Sequence, residues 1–136
     1  MTKDTTFHCS VVTPERPILE CEARFVAFPG HDGEMGVLTH RAPLVCKLGV
    51  GTLRIEGTNA EHVFYIEGGF AHMLNNRLTI LTDRARRVEE LNAAEAQKAL
   101  ADALSSEIPD EAAYIARTNA LERARAQQRL IESAKR

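Results

Sequence analysis

No apolar run in this sequence approaches the roughly 18 residues that a membrane-crossing helix needs, so direct membrane insertion is not expected. Charge of either sign is not in excess. Seventeen Lys and Arg stand against 19 Asp and Glu, a formal net charge of −2, which gives no global footing for nucleic acid or for an anionic membrane surface. The N-terminus, MTKDTTFHCSVV, opens polar and passes into a short strand-like run, without the apolar centre of a signal peptide. Three cysteines, Cys9, Cys21 and Cys46, are an odd number and lack the close spacing of metal-binding pairs. They read as reduced, buried thiols of a cytosolic-type compartment. Glycine is absent after Arg87, and Pro109 is the sole proline there. What remains is an ordinary soluble globular composition, 44% hydrophobic and 26% charged. Its 136 residues are enough for one domain, or a small domain with an appendage.

The pattern changes near Arg84. Before it, Leu53 and Ile55 alternate with Arg54 and Glu56, and Leu78 and Ile80 with Arg77 and Thr79. A period of two puts one face in a core and the other in water. Turn chemistry separates the runs: Asn75-Asn76 suits the left-handed conformation of a tight hairpin, and Gly57-Thr58-Asn59 closes another. Many short strands at regular spacing predict an all-β antiparallel sandwich or barrel over residues 1–87.

Residues 88–136 are rich in alanine, leucine and glutamate, all strong helix formers. Asn92-Ala93-Ala94-Glu95 fits a capping box, with Asn92 as N-cap and Glu95 reaching back. Ala93, Ala96, Leu100, Ala103 and Leu104 follow at helical spacing. Ser105 to Asp110 breaks the pattern, with Pro109 in the first turn of a second helix. Ala112, Ala116, Ala120, Ala124, Ile131 and Ala134 form that helix's expected stripe. So short a connection predicts an antiparallel two-helix hairpin. Its alanine seam buries little apolar area. Charge assists it: residues 88–111 carry seven acids and one base, whereas 112–136 carry six bases and two acids. The expectation is a hairpin that closes on itself yet can release its basic arm to another acidic surface, although a plain solvated hairpin would show the same numbers.

Catalytic chemistry finds no constellation. His31, Asp32, Glu34 and His40 match no metal-ligand spacing and read as residues of a solvated glycine-rich loop. Gly30-His31-Asp32-Gly33-Glu34-Met35-Gly36 lacks the Lys-Ser/Thr of a P-loop and leads into the strand-like Val37-Leu38-Thr39. No serine occupies a Gly-x-Ser-x-Gly elbow, and apolar surroundings would raise the thiol pKa values. No catalytic residue, metal or cofactor is expected.

The stretch FPGHDGEMGVLTHRAPLV, Phe28 to Val45, resembles the signature of the epsilon subunit of bacterial and chloroplast F-type ATP synthases. Leu48 to Ile55 is similar to the family's glycine-led strand, Tyr65 to Ala71 to its double-glycine turn, and Leu78 to Thr82 to the strand beyond. The resemblance implies a non-catalytic central-stalk rotor subunit coupling ion translocation to ATP synthesis. It implies peripheral attachment at the cytoplasmic face of the cell membrane. The implied partners are the gamma subunit, the c-ring loops, and the beta and alpha subunits of the catalytic head. By position, Gly30, His31, Asp32, Gly33, Glu34 and Met35 would meet the c-ring, and His40, Pro43 and Leu44 would approach gamma. In the family the hairpin lies folded beside the sandwich or extends into the head and blocks ATP hydrolysis. Arg117, Arg123, Arg125 and Arg129 would then form the inhibitory basic arm.

One departure matters. Several relatives bind ATP through a Leu/Ile-Asp-x-x-Arg-Ala motif, and the matching stretch here is Leu91-Asn92-Ala93-Ala94-Glu95-Ala96. Arg125 and Arg129 match the motif's distant arginines, but Glu95 would repel phosphate. ATP binding by the isolated chain is therefore expected to be absent or very weak. The alternative reading is a free-standing β-sandwich binding module with a helical protein-interaction tail. A small metal-dependent enzyme would need ligands that are not visible.

Overall fold

A computed structural model describes residues 6–30 and 33–134. The chain divides into two compact units, Met1–Arg86 and Arg87–Arg136.

Among the described residues are nine strands, all but the last residue of β9 within the first unit: β1 Phe7–Val12, β2 Pro17–Gly30, β3 Gly33–Leu38, β4 Leu44–Lys47, β5 Val50–Gly57, β6 Glu61–Glu67, β7 Phe70–Leu74, β8 Arg77–Leu81 and β9 Arg84–Arg87. They hydrogen-bond in the order β4-β7-β8-β1-β2-β5-β6-β9, with β3 also on β2. The sheet is open and folds over itself through the 14-residue β2. The first part of β2 pairs with β1 and its last part with β3 and β5, and the β5 register slips between Ala23 and Phe25. One strand thus serves both layers of a sandwich. The expected antiparallel pairing holds for most strands, but β1 runs parallel to β8, with Cys9 opposite Leu78.

Alternation sets the core. Phe7, Cys9 and Val11 of β1, Leu53 and Ile55 of β5, Ala71 and Met73 of β7, and Leu78 and Ile80 of β8 are all buried. Asn75 and Asn76 adopt φ of 52° and 61°, the left-handed pair of a two-residue hairpin. Gly69 has φ of +109° and sits so close to the Leu81 carbonyl that a Cβ would collide with it. Buried Thr82 holds the same turn, its hydroxyl 2.8 Å from the Gly68 carbonyl oxygen.

The second unit holds α1, Ala93–Ser105, and α2, Glu111–Ala134, joined by five residues and packed on each other. Asn92 caps α1: its Oδ1 accepts from the backbone N–H of Ala94 at 2.8 Å and Glu95 at 3.1 Å. The expected return bond from Glu95 is not formed, and the Glu95 side chain is exposed. Asp110 caps α2, accepting from Ala113 N–H at 2.8 Å. Pro109 therefore precedes the cap instead of lying in the first turn.

The seam also differs from the expected stripes. Ala96 and Ala103 are buried on α1, but Ala93 and Leu104 are exposed. On α2 the facing set is Ala113, Arg117, Ala120 and Ala124, one position on from the expected Ala112 and Ala116, which are exposed. Ala126 and Leu130 complete the buried positions. A run so rich in alanine carries little phase information, and neighbouring alanines are interchangeable to a periodicity argument.

Candidate functional site

Strand β3 separates two surfaces. At its start, Gly30 pairs with Gly33. His31 and Asp32 lie outside the described residues. The tip is braced from behind, since Gly49 N–H donates to Pro29 O at 2.8 Å and Gly30 bridges to Leu48. Glu34 is exposed, whereas Met35 packs against the core. The structure thus presents Glu34 and Gly33 to solvent at the start of β3.

At the far end of β3, about 17 Å away for five residue steps, His40 takes a left-handed φ of 57°. Asn76 explains this turn: its Oδ1 accepts from His40 N–H at 2.8 Å, and its Nδ2 donates to Thr6 O at 2.9 Å. Thr39 Oγ1 adds a 3.0 Å bond to the same Thr6 carbonyl. His40 and Pro43 are exposed, and Leu44 is half-buried against the core. A shallow groove lined by Thr6, His8, Glu22, Asn76 and Arg77 adjoins this end. The hold of Asn76 on His40 could not be read locally, because the two are 36 positions apart.

The seven described residues of the nine expected contacts therefore do not form one cluster. They mark opposite ends of one rigid body, and Glu34 and His40 are too far apart to share a metal ion. The outer face of the β4-β7-β8-β1 layer carries an apolar row, at the end of β7 and β8 away from Asn76 and His40. Phe70 pairs with Leu81, which pairs with Val12, and Phe70 and Leu81 are 52% and 47% exposed. Val45, on the same face, is 68% exposed. Apolar groups gathered this way mark a surface suited to protein contact.

The basic residues of α2 divide in two. Arg117 is half-buried in the helix seam: Nε donates to Ala103 O at 2.9 Å and Nη2 to Leu104 O at 3.3 Å. Those are carbonyls of the last turn of α1, which lack helical partners and carry the negative end of the helix dipole. Arg123 is half-buried; Arg125 and Arg129, one turn apart, are exposed and line a shallow depression with Gln128, Glu132 and Ser133. Leu104, Ile108, Tyr114 and Ile115 are exposed at the hairpin's turn end.

The thiols depart in part from the sequence expectation. Cys9 is buried, but Cys21 and Cys46 are only partly so. Burial, then the neighbouring Cys21 thiol, pushes Cys9 up to about 12. Burial and the Glu22 carboxylate raise Cys21, and burial raises Cys46.

No helix among the described residues is long and apolar enough to cross a membrane. Residues 6–88 match the family model described as ATP synthase, Delta/Epsilon chain, beta-sandwich domain. The ATP synthase epsilon chain of Rhodopirellula baltica is 42% identical over 126 residues, covering 91% of this chain and 97% of that one. The epsilon chain of Pelotomaculum thermopropionicum is 35% identical over 96 residues, covering 71% and 72%. Among solved structures, a chain of the Euglena gracilis mitochondrial ATP synthase OSCP/F1/c-ring assembly superposes with a TM-score of 0.83 at 29% identity, covering 97% of this chain and 82% of that one. The sandwich, the two-helix tail and these relatives agree: the chain belongs to the epsilon-chain family of the F-type ATP synthase, as a non-catalytic subunit of that complex.

Proposed function

We propose that this rotor subunit couples ion translocation to ATP synthesis as a two-ended mechanical part of the central stalk, with a hairpin that restrains ATP hydrolysis. The observation that carries the reading is the separation of its two contact sets across β3. The hairpin tip from Gly30 to Met35, Glu34 foremost, faces the c-ring loops. The His40, Pro43 and Leu44 end takes the gamma subunit. A part that transmits torque must not bend between its contacts, and a closely packed sandwich core meets that need.

The second unit supplies regulation. Its closed form has a seam mostly of alanine plus the Arg117 bonds, so opening costs little for 44 residues of chain beyond Asn92. On opening, Arg117 joins Arg123, Arg125 and Arg129 on a basic arm for acidic segments of the beta and alpha subunits. Nucleotide does not control the switch: Asn92 is occupied as the α1 cap, and Glu95 places an acid where phosphate would lie. Attachment to the cytoplasmic face of the membrane is through these partners alone.

Co-expression with the gamma subunit of the same enzyme tests the sandwich role. The full chain and residues 1–87 are both expected to co-purify with gamma at equal stoichiometry. A chain that elutes as a free monomer would return the reading to an independent β-sandwich module.

A further inference from the structure

Cys9 and Cys21 stand directly opposite each other across the β1–β2 pair. Directly opposed residues of an antiparallel pair point to the same face, with Cα atoms about 4.5 to 5.5 Å apart. Here that face is the core side, since Phe7, Val11 and Ala23 beside them are buried and Cys21 packs against the core. A disulfide requires Cα atoms about 4.4 to 6.8 Å apart, a range that contains both antiparallel spacings. Cys46 is placed differently: β7 and β8 lie between its strand and β1. Three strand steps put it about 14 Å away, beyond the reach of a bridge.

We propose that Cys9 and Cys21 are a dithiol modification site, which a small neutral or cationic disulfide converts into a cross-strand disulfide locking β1 to β2. The partly exposed Cys21 reacts first. Its thiolate, after losing a proton to solvent, attacks one sulfur of the oxidant, and the oxidant's S–S bond breaks to release one thiolate that takes up a proton. Cys9 then loses its proton and attacks the Cys21 sulfur of the mixed disulfide, expelling the second thiol. The protein dithiol loses two electrons, and the oxidant becomes two thiols. The carboxylates of Glu20 and Glu22 flank Cys21 in sequence and disfavour an anionic oxidant such as glutathione disulfide. Raised thiol pKa values slow both steps, so casual oxidation is resisted.

The test uses the whole reduced chain in mildly alkaline buffer, with cystamine, hydroxyethyl disulfide or glutathione disulfide at equal concentration. Samples are alkylated and mapped by mass spectrometry without reduction. The expected product joins the Cys9 and Cys21 peptides, with Cys46 alkylated. Cystamine should react fastest and glutathione disulfide slowest, the gap narrowing as salt is added. Closing a loop of about a dozen residues should raise the melting temperature by roughly 5 to 15 °C, reversibly on reduction. Cys46→Ser should leave the bridge intact, and Cys21→Ser should abolish it. A mixed disulfide at Cys21 that persists unresolved would overturn the proposal. So would a bridge involving Cys46, or a lowered melting temperature on oxidation; the wild-type map alone decides if a variant fails to fold.

Discussion

On the proposed regulatory reading, the bonds from Arg117 to the end of α1 weigh on the closed–open balance of the hairpin. The short bond to the Ala103 carbonyl is partly shielded from water and involves a charged donor, worth about 1.5 kcal/mol. The longer bond to Leu104 lies in the open and adds, with the helix dipole, about 0.5 kcal/mol. Arg117→Ala should therefore shift the closed–open balance by about 2 kcal/mol, roughly thirtyfold. Arg117→Lys keeps the charge but not the planar fork that reaches two successive carbonyls. It should cost about 1 kcal/mol, roughly fivefold. Amide hydrogen exchange of peptides covering residues 100–105 reads this directly, because the last turn of α1 opens when its cap is lost. The pair of variants also separates two roles for Arg117. If it acts as a latch, Lys should increase inhibition of ATP hydrolysis, since the arm keeps its charge and opens more readily. Unchanged protection of α1 in both variants would refute the latch.

Three further outcomes follow from the geometry. Gly69→Ala combines a left-handed φ with a collision against the Leu81 carbonyl and should destabilise the sandwich by about 2–4 kcal/mol; urea denaturation followed by circular dichroism measures it. Raising pH should weaken the fold through Cys9, whose pKa is raised from 9.0 to about 12 on folding. That contribution is whole below pH 9 and declines toward pH 12, by up to about 1.4 kcal/mol per pH unit. Cys9→Ala should flatten the slope of stability against pH in that window, and an unchanged slope would contradict the assignment. Calorimetric titration of the isolated chain with Mg-ATP should show no sub-millimolar binding, in keeping with Asn92 as a cap and the acid at Glu95; heat of binding in that range would restore a nucleotide sensor.

Strands that bury one face wrote themselves into the sequence. Leu53, Ile55, Leu78 and Ile80 alternate because each flanking residue faces water, and Asn75-Asn76 marks a turn that few other pairs can make. The Asn92 cap was legible for a similar reason, as a local hydrogen-bond demand met by a nearby side chain. Long-range relations were not. The parallel seating of β1 on β8, the opposition of Cys9 and Cys21, and the hold of Asn76 on His40 all depend on strand register set by the whole sandwich. In the hairpin, the hold of Arg117 on the Ala103 carbonyl is equally invisible to the sequence, since it depends on how α2 seats against the end of α1. The resemblance named the contact residues one by one, but only the fold separates Glu34 from His40 by the length of β3.

The central claim concerns what the second unit does in the assembled enzyme. Enzyme reconstituted with residues 1–87 in place of the full chain should keep its coupling and hydrolyse ATP several-fold faster, since the basic arm is gone while both sandwich ends remain. Equal hydrolysis rates with the two forms would contradict the account.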